Sequence, residues 1–275
     1  MTSNVKKRDV KFASRTVTRI WSEESTADNP YLAEQCRCQG YDILELARQR
    51  SFVEVLFLLF SGELPTENQV GLLETLMIAF INPGPRHPAT RAAMNTGVGK
   101  SRPVHILPIG LSVMGGAHLG GEETEAAMRY IRKHQRIDPQ AHAEELLAEN
   151  QRPVEGDWHI IPGFGSRFGG IDPLPKKTAQ LLQEHPGCGD SIRWGNSFCK
   201  ALSPAGLGWL APGVAAAVFC DLGFHPRSGG GLFQLVCAPG ILAHGLEMAN
   251  KPINAMPFLD EENYIITNRG QKQNE

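Results

Sequence analysis

Gln39 to Thr66 reads QGYDILELARQRSFVEVLFLLFSGELPT, and the order of residue types in it decides the fold class. One apolar set, Ile43, Leu44, Leu46 and Ala47, is followed after a polar break by a second, Val53 and Val55 to Leu59. Ser51 stands three residues before Glu54. In that pattern a hydroxyl caps one backbone N–H while the carboxylate returns to another, so a buried helix is predicted to open there. Gly62 and Pro65 end it. Thr66 leads into a further helix, in which Val70, Leu72, Leu73, Leu76, Met77 and Phe80 recur at helical spacing.

Beyond this stretch, Asn82-Pro83-Gly84-Pro85 is a strong break. A short segment around Arg91 to Asn95 follows, then an apolar stretch from Ile106 to Met114 that is interrupted by Pro108 and Gly110 and runs into Gly115-Gly116-Ala117-His118-Leu119-Gly120-Gly121. Glu122 to His134 carries acidic residues at its start and Arg129, Arg132 and Lys133 near its end. That polarity suits the dipole of an amphipathic helix. Helices are also predicted at 139–150, 175–185, 190–202, 211–222 and 230–249, with Ser228-Gly229-Gly230-Gly231 connecting the last two. Pro162 to Pro173 is a glycine-dense loop. Residues 1–30 read as an arm with little core of its own, and residues 260–275 as a polar tail. Strand signals are weak throughout, and there is no internal repeat.

The 275 residues make one large domain or two smaller ones. An apolar fraction of 41% with 20% charged residues excludes a largely disordered chain. A net charge of -2 gives no general attraction to nucleic acid or anionic lipid. No apolar run is expected to approach the roughly 20 residues that span a bilayer. The polar Met1–Asp9 segment lacks the apolar stretch of a secretory signal, so a cytoplasmic protein is expected. Of the six cysteines, Cys36, Cys38, Cys188, Cys199, Cys220 and Cys237, only the first two are close in sequence. Without a second pair they predict reduced thiols and no metal site.

Three stretches together resemble the citrate synthase superfamily. Gln39 to Ile43 with Ser51 to Leu56 and Gly62 to Thr66 resembles R-G-Y-x-I … S-F-E-E-V-x-x-L-L … G-E-L-P-T. Ile161 to Arg167 with Asp172-Pro173 resembles I-P-G-F-G-H-R … D-P-R, and Gly240 to Glu247 resembles G-W-I-A-H-W-L-E. The short chain and Gly115 to Gly121 look closer to citryl-CoA lyases and to the lyase module of ATP-citrate lyase than to full-length citrate synthases.

The resemblance implies an all-α, citrate synthase-like fold with a large and a smaller helical domain. Residues 31–121 and 206–260 would form the large domain and 122–205 the small one, flanked by an arm at 1–30 and a tail at 261–275. It also implies a homodimer or heteromer that binds an acyl-CoA and an oxoacid, with the coenzyme A thioester as substrate and no permanently bound cofactor.

Such chemistry makes or breaks a C–C bond beside a thioester. It needs a carboxylate base, hydrogen-bond donors for an enolate and for a carbonyl, and arginines for carboxylates. The sequence keeps only part of this set. Ser166 replaces the histidine of G-F-G-H-R, and its hydroxyl donates a hydrogen bond without carrying positive charge. Trp209 stands where the family's base lies, and an indole cannot take a proton. Leu174 and Cys237 replace two clamp arginines, and Met256-Pro257-Phe258 lacks another. Arg167 survives.

By this resemblance His118 would stabilise an enolate oxygen, and His87, Ser166 and Arg167 would orient an oxoacid. Gly163, Gly165 and Trp209 would line the cleft, with the base unassigned. Each has a plainer reading: a helix-start or packing histidine for His118 and His87, and a simple turn for the glycine loop. His244 reads as structural, and Lys176 and Lys177 as a solvated face. The sequence therefore leaves two functions open: an acyl-CoA lyase or acyltransferase with an altered substrate, or a catalytically inactive paralogue with a binding, regulatory or subunit role.

Overall fold

The computed structural model describes residues 16–257, 259–260 and 262–264. Residues 1–15 of the expected arm, Phe258, and residues 261 and 265–275 of the tail lie outside the described residues. The contacts divide the chain into two units, Met1–Thr66 and Glu67–Glu275. Helices dominate, and the strands are confined to two small three-stranded sheets.

In the first unit, strands β1 (Trp21–Ser25), β2 (Ala33–Cys38) and β3 (Tyr41–Asp42) form an antiparallel sheet. Strand β1 lies within the stretch read as an arm, and all five of its residues are exposed. Gln39 and Gly40 turn β2 into β3 with φ of 49° and 89°, matching the left-handed backbone of a tight hairpin. Two helices follow, α1 (Ile43–Gln49) and α2 (Phe52–Ser61). The predicted Ser51–Glu54 capping box is present, and Gly62 ends α2 at φ 85°. Leu46, Leu58 and Cys38 form a core with Ile43, Val55, Leu59 and Leu64 around it.

The second unit contains α3 (Glu67–Ala79), α4 (Pro88–Val98), α5 (Ile106–Met114), α6 (Gly121–His134) and α7 (Pro139–Glu149). Next come β4 (His159–Ile161), β5 (Phe164–Gly165), α8 (Pro173–Glu184), α9 (Asp190–Leu202), β6 (Gly208–Trp209), α10 (Ala211–Asp221) and α11 (Pro226–Ala249). The expected segment at Arg91 to Asn95 is thus the middle of a longer helix, opened by His87 as N-cap and Pro88. Pro108 does not break α5, because it lies in the first turn, where its missing N–H would have no helical partner.

Two expectations fail at α11. The run Ser228 to Gly231 is not a connector but the first turns of this helix. Two of its glycines answer packing: a Cβ on Gly230 would lie 2.8 Å from the Gly121 carbonyl oxygen, and one on Gly229 would lie 2.3 Å from Met128 Sδ. The helix is also long and apolar enough to cross a membrane by length and composition, contrary to the expectation that no such run exists. It instead packs on α4, α5 and α6, as a core helix does.

Pro239 lies inside α11, and the Gly240 amide leaves the helical ladder to donate to the Ile81 carbonyl at 3.0 Å. Asn82 Nδ2 meets His244 Nε2 at 3.1 Å. Both contacts fix the Asn82–Pro85 loop against α11. The glycine-dense segment also holds more structure than a loop, since β5 pairs with β4 and β6 in antiparallel fashion.

Candidate functional site

Three elements meet around the turn before α6. Glycines at 115, 116 and 120 carry Ala117, His118 and Leu119, and Leu119 has a φ of 54°. Glu123, in the first turn of α6 and only 4% exposed, folds back on this turn. Its Oε2 accepts from Leu119 N at 2.7 Å, and its Oε1 accepts from Gly163 N at 3.1 Å. The same Oε1 lies 3.0 Å from His159 Nδ1. One buried carboxylate thus joins α6, β4 and the turn at Gly163.

The contact with Glu123 raises the His159 pKa, against the opposing effect of burial. His159 Nε2 is buried without a partner. The His118 ring stacks on His159 at 4.9 Å with 27° between planes, and its Nε2 lies 3.9 Å from Asp157 Oδ2. That separation is too long for a hydrogen bond. Asp157 Oδ1 accepts from Phe168 N at 2.7 Å and so holds the tight turn in which Arg167 and Gly170 pair.

A cavity of about 620 Å³ opens beside these groups, lined by Arg86, Arg91, His118, Asp157 and Arg167 with apolar residues such as Met94 and Met248. It lies within the range that takes drug-sized ligands. Arg167 Nη1 reaches Asp172 Oδ2 at 3.4 Å, and its Nε is buried without a partner. Arg86 and Arg91 are exposed and form no ion pair with the described residues. The sequence argument counted one arginine here; the fold supplies three. Arg86 and Arg91 flank the His87 cap, a position with no place in the arginine pattern of the resemblance.

A second, much smaller space of about 50 Å³ adjoins the first and shares Arg167 and Leu119 with it. It gathers His87, Leu174 and Cys237. The two positions where the sequence has lost clamp arginines therefore converge in space with His87 and Arg167. The volume left there is small, about 50 Å³.

His87 is buried and commits both ring nitrogens to backbone. Nδ1 accepts from Ala89 N at 3.2 Å and Nε2 lies 3.1 Å from the Leu119 carbonyl oxygen. An amide donor on one side and a carbonyl on the other select the neutral ring with its proton on Nε2. Burial lowers its pKa in the same sense.

Ser166 is 1% exposed and bound to one residue: its Oγ accepts from Trp158 N at 3.2 Å and its amide donates to Trp158 O at 2.9 Å. Gly165 and Gly163 are close-approach glycines. A Cβ on the first would lie 2.3 Å from Trp158 O, and one on the second, at φ 82°, 2.6 Å from Gly213 Cα. Trp209 stacks on Phe164 at 4.5 Å, donates from Nε1 to Asn196 Oδ1 at 2.7 Å, and borders a separate cavity of about 330 Å³ with Lys176 and Lys200.

Of the sequence-predicted residues, the fold brings His118 and Arg167 to the 620 Å³ cavity, with His87 and Arg167 at the small space beside it. Ser166 and Trp209 line neither. Sequence reasoning missed Glu123, Asp157, His159, Arg86 and Arg91. A signal existed for His159, which stands two residues before the Ile161-Pro162-Gly163 motif. It existed also for Glu123, the third residue of its helix, a position from which a carboxylate reaches back to the cap.

The helical fold thus carries an arginine-lined cavity with His118 and Asp157 in its lining. The sequence profile of the citrate synthase C-terminal domain matches residues 8–159, more than half of the chain. The chain belongs to the citrate synthase family.

Among solved structures it is similar to citryl-CoA lyase from Hydrogenobacter thermophilus, with 24% identity, a TM-score of 0.73, and coverage of 94% of this chain and 96% of that one. It is also similar to ATP citrate lyase from Methanothrix soehngenii in complex with citrate and coenzyme A, at 17% identity and a TM-score of 0.68. That likeness covers 94% of this chain but only 44% of the larger protein. Citrate synthase from Thermoplasma acidophilum, in a ternary complex with carboxymethyl coenzyme A and oxaloacetate, gives 18% identity and a TM-score of 0.57 over 81% of this chain and 58% of that one. At these identities the likenesses establish the fold, an all-α citrate synthase-like architecture. No curated protein matches the chain.

Proposed function

We propose that the protein binds an acyl-CoA thioester together with an oxoacid and makes or breaks the C–C bond between them, with an altered substrate. The observation that carries this reading is the 620 Å³ cavity lined by Arg86, Arg91 and Arg167 together with His118 and Asp157. Guanidinium groups fit carboxylates. The exposed His118 imidazole suits as a hydrogen-bond donor to an oxygen that gains negative charge. The near-closure of the space at Leu174 and Cys237 supports a substrate with fewer carboxylates than citrate, because a buried carboxylate without a partner is costly. Six free thiols fit a reducing compartment, and family membership supports assembly as a homodimer or heteromer.

A second reading, a catalytically inactive paralogue that keeps the binding cavity, is favoured by a different observation. The residues at the family's general-acid and base positions are both walled in: Ser166 by the Trp158 backbone, and Trp209 by Phe164 and Asn196.

Deuterium exchange from the methyl group of acetyl-CoA, alone and with a series of oxoacids, separates the two. Exchange that is lost in His118→Ala supports the enzyme. Saturable acetyl-CoA binding without exchange supports the paralogue, and absence of acyl-CoA binding overturns both.

A further inference from the structure

The wall formed by His118, Asp157 and His159 has a feature that substrate binding alone does not require. One ligand-type atom from each of the three lies within 4.8 Å of the others, yet no hydrogen bond links these three side chains. His118 Nε2 and Asp157 Oδ2 stop 3.9 Å apart. His159 Nε2 is buried with no partner at all, and an orphaned buried nitrogen costs free energy that a fold normally avoids.

The rest of the arrangement prepares that nitrogen for a cation. Glu123 Oε1 accepts from His159 Nδ1 at 3.0 Å, which fixes the ring and, in the neutral imidazole that binds metals, puts the lone pair on Nε2. A carboxylate behind a histidine is the usual support of a metal-ligating imidazole. Asp157 is fixed in a similar way, its Oδ1 held by Phe168 N at 2.7 Å and its Oδ2 left over. Glu123 and Asp157 together also supply two negative charges beside an otherwise cationic cavity.

We propose that His118, Asp157 and His159 bind a first-row divalent cation of the zinc type, with Glu123 as the support of His159, beside the arginine-lined cavity that His118 and Asp157 border and His159 does not. Two imidazoles and one carboxylate select such an ion over magnesium or calcium, which prefer all-oxygen sites. Ligand bonds of about 2.0–2.2 Å require the three atoms to close to roughly 3.3 Å of one another.

His118 is the group that makes this movement. Its side chain is 58% exposed, it sits among glycines, and its ring must turn out of the stack on His159 because imidazole lone pairs lie in the ring plane. This inference rests on the cavity reading only for its role. A cation here polarises the oxygen that His118 faces, a task for which the buried Ser166 hydroxyl is not placed.

The test needs no substrate. Full-length protein, freed of metal with a chelator and dialysed, is titrated with zinc chloride by calorimetry, and with cobalt(II) to follow the visible bands that report coordination geometry. The expected result is one tight equivalent, with four- or five-coordinate cobalt bands. Affinity falls about 100-fold in His118→Ala and about 10- to 100-fold in Glu123→Gln. His118→Ala removes an exposed side chain and leaves the unfolding midpoint in place, so its loss of binding reports the ligand and not the fold. No stoichiometric uptake overturns the proposal, as does uptake that His118→Ala and Asp157→Asn leave unchanged. Acetyl-CoA binding measured on the same metal-free sample is independent of either outcome and keeps the functional reading separately testable.

Discussion

Glu123 and His159 come from different elements, the first turn of α6 and the first residue of β4, and meet at 3.0 Å between Oε1 and Nδ1. Because Glu123 also accepts from the amides of Leu119 and Gly163, its removal leaves two buried N–H groups and one imidazole unsatisfied. Breaking a buried network at one member costs more than the bonds are worth net. Glu123→Ala is expected to lower stability by about 3 kcal/mol, read as a fall in the urea midpoint. Glu123→Gln, which keeps an acceptor oxygen, loses less. Equal midpoints for Glu123→Ala and the parent would show that the carboxylate does not hold the three segments together.

His87 makes stability depend on pH. Burial, as the largest effect, lowers its folded pKa, and Arg167 and His118 act in the same sense against the Leu119 contact. The unfolded chain therefore takes up its proton first as pH falls. The stabilisation is fully present above the ordinary histidine value of about 6.5 and is lost as pH drops from there towards the folded value. Urea unfolding at a series of pH values is expected to show declining stability on the acid side of about 6.5. His87→Asn keeps a good cap for α4 and is expected to flatten that decline while losing about 1 kcal/mol at pH 8 with the Leu119 contact. A decline of the same slope in His87→Asn would assign it to other groups.

The helices were legible because their signals are local. The Ser51–Glu54 pair, Gly62, and the charge order of Glu122 to His134 each act within a few residues, and each lies where the sequence placed it. What failed depends on partners distant in sequence. Gly229 and Gly230 look like part of a linker until α6 comes against them, and a Cβ on Gly229 would meet Met128. The strands β4 to β6 are too short for an alternating pattern to show, and β1 has no buried face to alternate with an exposed one.

The site divides in the same way. His118 and Arg167 were found through motifs, whereas Asp157 and His159 matter only because a turn at Arg167–Gly170 and a helix start at Gly121 bring them together. Arg86 and Arg91 were missed for a related reason, since motif comparison looks for arginines at fixed positions and a cavity accepts them from any element that borders it.

Ser166 tests how much of the motif reading survives in three dimensions. Its hydroxyl is buried against Trp158, so Ser166→Ala is expected to cost about 1 kcal/mol and to leave ligand affinity in the 620 Å³ cavity unchanged. Ser166→His, which restores the family's residue type, is expected to destabilise the fold by about 1–3 kcal/mol through overpacking and to confer no activity. A gain in acetyl-CoA exchange in Ser166→His would show that this position faces substrate after all.

Arg86 and Arg91 carry the last prediction. Both are exposed at the rim of the cavity and unpaired among the described residues, so neither holds the fold together. On the proposed function their contribution is to an anionic ligand, and exposure keeps it at the lower end of the range for charge-assisted hydrogen bonds. Replacing either with Met, which preserves the apolar stem, is expected to weaken binding of malonate, a stable dicarboxylate probe, by about tenfold, equivalent to ~1.4 kcal/mol. The unfolding midpoint stays at the parent value. The double replacement loses about 100-fold if the two guanidinium groups act on separate oxygens, and less if they share one. The effect shrinks as ionic strength rises, because rim charges are screened over about 8–10 Å at physiological salt. Malonate titrations at two salt concentrations with both single variants and the double variant measure all of this. Affinity that is indifferent to both arginines would remove the cationic side of the cavity from any account of what the protein binds.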